Sequence, residues 1–137
     1  MLILKPCRTH SVLLAVAATL SVLMPGCGKS DSPTDVVKAF YMDLNAGNYS
    51  DAQGMLSKEA KDALDGPLGQ LAGGFKGVAD KSTKNGTITT IDPVSEEIRG
   101  EGATVIVNVH YKDGTTKDKD KTGLIRKDGV WKIALDN

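Results

Sequence analysis

The chain has 137 residues and a mass of 14.5 kDa, with 17 basic and 17 acidic side chains. This length supports one small domain, and so even a charge balance leaves no electrostatic footprint for nucleic acid. Valine, isoleucine, leucine and phenylalanine make up 23 of the 111 residues after position 26, about 21%, enough for a modest core and too few for a two-domain enzyme.

The first segment reads as an address. Residues 1–10 hold Lys5, Arg8 and His10 and no acid, and Ser11 to Met24 is an unbroken run of apolar and small residues. As a helix that run spans about 21 Å, short of a hydrocarbon core of ~30 Å. It has no polar face to suit a buried core helix, and it stops at Pro25-Gly26. The pattern predicts a secretory signal peptide over 1–26, leaving a mature chain with 15 basic and 17 acidic groups, net −2.

Leu23-Met24-Pro25-Gly26-Cys27 resembles the lipobox of bacterial lipoproteins, with Gly26 before the lipidated Cys27 and Leu23 upstream; Met24 and Pro25 are less typical fillers. The resemblance implies a thioether-linked diacylglycerol on Cys27, an acylated amine at the new N-terminus and attachment to the membrane through these chains. Several acyl chains anchor stably where one is marginal. Gly28 in place of Asp after the cysteine implies, in a Gram-negative envelope, an outer-membrane address facing the periplasm. Cys7 leaves with the signal peptide, so no thiol remains for a disulfide, a zinc site or a nucleophile. Gly28-Lys29-Ser30 ends like a phosphate-binding loop, but Leu23 stands where its first glycine is required.

Residues 27–32 form a short tether to a single domain over 33–137. Ser32-Pro33-Thr34-Asp35 is a helix start, followed by the stripe Val36, Val37, Phe40, Tyr41 and Leu44 and a stop at Asn45-Ala46-Gly47. A short helix is expected near Asn48, with Tyr49, Ala52, Met55 and Leu56 inward. A third begins at Ser57 with Ala60 and Leu64 inward. Leu64, Leu68, Leu71 and Phe75 share helical spacing across Gly66-Pro67, which predicts a broken helix up to Gly73-Gly74.

From Gly86 the period changes to two. Ile88, Ile91, Val94 and Ile98 predict one or two short strands interrupted at Asp92-Pro93. Ala103, Val105, Val107, Val109 and Tyr111 alternate with Thr104, Ile106, Asn108 and His110 in the clearest strand of the chain. Lys112-Asp113-Gly114 turns into a strand over about Thr115 to Arg126, and Lys127-Asp128-Gly129 turns into Val130 to Leu135. Helices followed by an antiparallel meander predict an α+β fold, N-terminal helices packed on a curved antiparallel sheet.

Ser32 to Phe40, Gly47-Asn48-Tyr49 with Ala52, Ala103-Thr104-Val105-x-Val107, Lys112-Asp113-Gly114 and Gly129-Val130-Trp131-Lys132-Ile133 together resemble small bacterial lipoproteins of a domain family of unknown function. Their fold is nuclear transport factor 2-like, a cystatin-like cone. The similarity covers about residues 32–135. It implies the cone fold, whose relatives include isomerases, dehydratases, cyclases and non-catalytic dimers, and does not choose among them.

The chemistry-bearing residues are few. His110 is the lone histidine of the mature chain and has no acid at a fixed spacing. It reads as a polar strand residue rather than a general base. Glu96 and Glu97 point to opposite faces of a strand, so they cannot act together; they and Glu101 read as a solvated edge. Lys117-Asp118-Lys119-Asp120-Lys121 alternates, placing three lysines on one face and two aspartates on the other, as on a charged edge strand that resists sheet-to-sheet pairing. Trp131 is expected in the core. Tyr41 and Tyr111 are core residues that a cone cavity would expose to a ligand.

No catalytic, metal or cofactor set emerges. The expectation is a membrane-anchored, non-catalytic binding or interaction domain, its partner a small apolar ligand, another protein or a second copy of the chain. The alternative is a cone-fold enzyme of isomerase or hydrolase type with a polar pocket.

Overall fold

Pro33 opens the first helix because its fixed φ suits position N1 and its missing N–H costs nothing there. In the computed structural model, which describes residues 32–135, α1 spans Pro33–Ala46. The expected signal segment over 1–26, Cys27 and the expected tether up to residue 31 lie outside the described residues, as do the last two. The Ser32 hydroxyl accepts from the Asp35 amide at 3.1 Å, and Gly47 ends the helix with φ +79°, the left-handed conformation that a side chain would strain. The stripe Val36, Val37, Phe40, Tyr41 and Leu44 is buried as its spacing requires.

Four shorter helices follow: α2 (Tyr49–Gly54), α3 (Lys58–Asp65), α4 (Pro67–Leu71) and α5 (Gly74–Ser82). Ser57 caps α3, its hydroxyl accepting from the Ala60 amide at 3.0 Å. The expected break at Gly66-Pro67 separates α3 from α4, while one expected burial fails. Tyr49 is half-exposed rather than inward, resting its ring edge-on against Phe75. Leu64 and Phe75 are buried, but Leu68 and Leu71 between them stand 82% and 85% exposed. The cause is Gly69, whose backbone sits so close to α3 that a Cβ would lie 2.2 Å from the Ala63 carbonyl oxygen. That contact turns the glycine inward and the leucines out. The helix α5 escapes the sequence reading because Gly73, Gly74 and Gly77 interrupt its apolar spacing.

The strands are β1 (Ile88–Arg99), β2 (Gly102–Tyr111), β3 (Thr116–Lys127) and β4 (Val130–Ala134), one antiparallel sheet in sequence order. The expected break at Asp92-Pro93 is instead a bulge between Pro93 and Ser95 within one continuous strand. Proline fits there because β1 is a sheet edge, where its missing donor goes unused. In β2 the alternation is complete. Ala103, Val105, Val107, Val109 and Tyr111 face the helices, buried, while Thr104, Ile106, Asn108 and His110 lie half-exposed on the outer face. Asp128 and Gly129 both have positive φ, as the two central residues of the tight β3–β4 hairpin require.

The helical layer is fastened to both sheet edges. Thr34 at the start of α1 donates its amide (2.9 Å) and hydroxyl (2.5 Å) to Glu96. Asn45 at the other end accepts from the Ile88 amide at 2.8 Å and donates to its carbonyl at 3.2 Å. So α1 runs antiparallel to β1 and is held at both ends. Across the sheet, Leu56 bridges Ile133: Ser57 N–H donates to the Ile133 carbonyl and Ile133 N–H to the Met55 carbonyl, both at 2.8 Å. These bonds occupy part of the open edge of β4.

Candidate functional site

Between this sheet and the helices lies a cavity of about 230 Å³. Phe40 and Tyr41 come from α1, Leu56 and Leu64 from the α2–α3 region, Val78 and Ser82 from α5, and Thr122, Ile133 and Leu135 from the sheet side. The wall is mainly apolar, with Tyr41, Ser82, Lys121 and Thr122 as its polar residues. A neighbouring cleft of about 280 Å³ between α2 and α3 has Lys61 and Asp65 among its lining residues.

The polar element beside the cavity depends on an irregularity in β3. Asp118 and Lys119 together oppose Asn108, a bulge in which Lys119 takes φ +52° and its amide is held by the Asn108 side chain at 2.9 Å. The bulge overturns the expected split of lysines and aspartates. It puts Lys117 and Asp120 on the same side, paired at 2.8 Å, with Asp120 opposite the buried Val107. Tyr41 then donates its phenolic proton to Asp120. Burial, followed by that carboxylate, pushes the Tyr41 phenol far above its ordinary range, so it is a neutral donor throughout the physiological pH range. Tyr111 is buried too, its hydroxyl donating to the Ser82 carbonyl at 3.0 Å and so fastening β2 to the end of α5.

Replacing Tyr41 with phenylalanine deletes a hydrogen bond to a charged group and is expected to cost about 1.5–3 kcal/mol at pH 7, read from urea midpoints. A phenol whose pKa is raised by folding stabilises below pH ~10 and loses that contribution as pH climbs above it. The wild-type midpoint therefore falls more steeply between pH 10 and 11 than that of Tyr41→Phe. Parallel curves would remove Tyr41 from the buried network.

The remaining sequence candidates fall elsewhere. His110 is on the outer sheet face, opposite Val109 and Tyr111 as its position requires. It does have an acid partner that spacing did not reveal: its Nε2 lies 2.9 Å from Asp92 Oδ2, and its Nδ1 2.9 Å from Thr116 Oγ1. Acid, imidazole and hydroxyl thus stand in line across β1, β2 and β3. All three sit on an open face, Asp92 is well exposed, and none lines the cavity. In neutral imidazole the Nε2–H donates to Asp92 while Thr116 donates to Nδ1, which makes the row a cross-strand tie.

Glu96 serves the start of α1, and Glu97 pairs with Arg99 at 2.5 Å on the surface. Glu101 pairs with Arg126 at 3.2 Å, an interaction that holds its carboxyl below the usual range. The charged stretch keeps its expected edge character in one respect, since β4 pairs only with Gly123–Lys127 and leaves residues 116–122 without a strand on that side. Trp131 is buried at 5% exposure, with the Arg126 guanidinium 5.2 Å from its ring centre. No helix among the described residues is long and apolar enough to cross a membrane.

Comparison with known proteins fits this geometry. A crystal structure from Campylobacter jejuni, described as a "Putative NTF2-like transpeptidase", matches with a TM-score of 0.57 and 22% identity, over 77% of this chain and 99% of its own. At that identity the likeness establishes the fold, an α+β architecture of the nuclear transport factor 2 type. No curated protein matches the sequence. A family profile covers residues 25–134, the whole span from Cys27 to the end of the last strand. The chain therefore belongs to the DUF4878 family, a domain of unknown function.

Proposed function

We propose that this protein is a membrane-anchored envelope lipoprotein, held through lipid on Cys27 at the periplasmic face of the outer membrane, whose cone domain binds a small, largely apolar molecule without chemically changing it. The observation that carries the binding reading is the state of the polar groups around the cavity. The Tyr41 proton is committed to Asp120, Asp120 is committed to Lys117, and the Tyr111 hydroxyl is committed to the Ser82 carbonyl. What remains for a ligand is a mainly apolar wall with Ser82, Lys121 and Thr122 for orientation, the usual make-up of a small-molecule pocket. An acid–base reaction needs a titratable pair aimed at one enclosed point, and the His110–Asp92 pair faces solvent on the other side of the sheet.

The test uses a fluorescent apolar probe such as N-phenyl-1-naphthylamine. Saturable binding with one site per chain is expected, and Val78→Trp, which fills the cavity from α5, removes it while the melting temperature stays within a few degrees. Binding that never saturates, or that survives Val78→Trp in a folded protein, contradicts the proposal.

A further inference from the structure

The helix α4 presents a surface that the cone does not use. From Gly66 to Phe75 the sequence runs ten residues without a charge, in a chain that is 25% charged. Within it Leu68 and Leu71 are one helical turn apart and share a face, and they are the two most exposed large apolar side chains of the described residues, at 82% and 85%. No residue of α4 is buried. The exposure is built in: Gly69 abuts the Ala63 and Leu64 carbonyls, fixing α4 against α3 with the leucines outward.

We propose that Leu68 and Leu71 seat in the interfacial layer of the bilayer to which Cys27 is attached, so that α4 is a second membrane contact that orients the domain. This inference rests on the lipid-anchor reading. Five residues, 28–32, separate the anchored cysteine from Pro33, a reach of at most about 20 Å. A folded domain of this size has a radius of gyration of about 13 Å, so a chain tied this closely is never more than about one diameter from the lipid surface. At that distance two leucines in a neutral, glycine-rich stretch meet bilayer at high local concentration, and burial of their side chains is favourable. The segment lacks the arginine or tryptophan anchors that a specific protein interface carries.

The test labels the lipidated full chain. Once the signal peptide is gone and Cys27 is blocked as a thioether, a single introduced cysteine is the one reactive thiol. Leu71→Cys carries a bimane fluorophore, and Thr90→Cys, on the outer sheet face, is the control. Each is reconstituted into phosphatidylethanolamine–phosphatidylglycerol vesicles containing doxyl-labelled lipid. Quenching at position 71 is expected to exceed that at position 90 by at least threefold. In a second variant pair, a label at Gln70→Cys loses its quenching when Leu68 and Leu71 are both changed to serine.

Protein that floats with the vesicles but shows equal quenching at positions 71 and 90 overturns the α4 contact and leaves the anchor standing. Protein that fails to float overturns both. Shielding of position 71 that appears in detergent and grows with protein concentration assigns the face to a second copy and overturns the bilayer seat.

Discussion

Replacing Trp131 with alanine is expected to lower the melting temperature by roughly 12–25 °C, the largest stability loss of any single substitution proposed for this domain. The indole is 5% exposed in the last strand, among core residues that include Leu56, Leu124 and Ile133. Truncating a buried aromatic removes its transfer free energy and leaves a cavity, together about 3–5 kcal/mol. For a domain of about a hundred residues each kcal/mol shifts the midpoint by about 4–5 °C. Against a total stability of about 5–15 kcal/mol, that loss brings a small domain close to unfolding at growth temperature. Trp131 is the one tryptophan in the chain, so its fluorescence reports the wild-type transition directly, and circular dichroism follows the variant. A variant that melts within 3 °C of wild type would place the ring at the surface, contrary to the packing described here.

The second large effect concerns address rather than stability. Changing Cys27 to alanine removes the sulfur that would take the diacylglycerol, and processing of a lipobox depends on that modification. The variant is expected to accumulate as the uncleaved precursor, longer than the mature form by its leader, visible as a band shift in immunoblots of whole cells. The folded domain should be unaffected, because residue 27 precedes the first capping residue, Ser32, by five positions. Cleavage at wild-type efficiency in Cys27→Ala would show an ordinary secretory leader and would dissolve the proposed tether, with the α4 contact that depends on it.

Much of the fold was legible because local signals and tertiary packing agree. In α1 a cap, a proline, an apolar stripe and a terminating glycine all specify the same helix, and the strict alternation of β2 specifies both its conformation and its buried face. Where the reading failed, a long-range contact decided the outcome. Leu68 and Leu71 keep helical spacing with Leu64 and Phe75, yet they face outward because Gly69 is the residue that meets α3. That closeness is invisible to a hydrophobic period.

The candidate site was less legible, for a related reason. Tyr41 was recognisable as an inward aromatic, but its partner Asp120 sits in an alternating charge run that reads as exposed. Only the bulge at Asp118-Lys119 brings Asp120 onto the side of the sheet where the phenol lies. The same holds on the outer face, where Asp92 reaches His110 across a pairing that no sequence spacing encodes. In both cases the chemistry lies in strand register, which is set by bulges and hairpin turns rather than by the identities of the residues that meet.

The proposed placement of this domain at a membrane rests on one covalent bond, and intact mass spectrometry of the mature protein extracted from its native membrane measures it most directly. The account predicts a polypeptide beginning at Cys27, heavier than its amino-acid sequence by a diacylglyceryl group and an amide-linked acyl chain. A mature chain with a free Cys27 thiol, or one that begins at another residue, would contradict it.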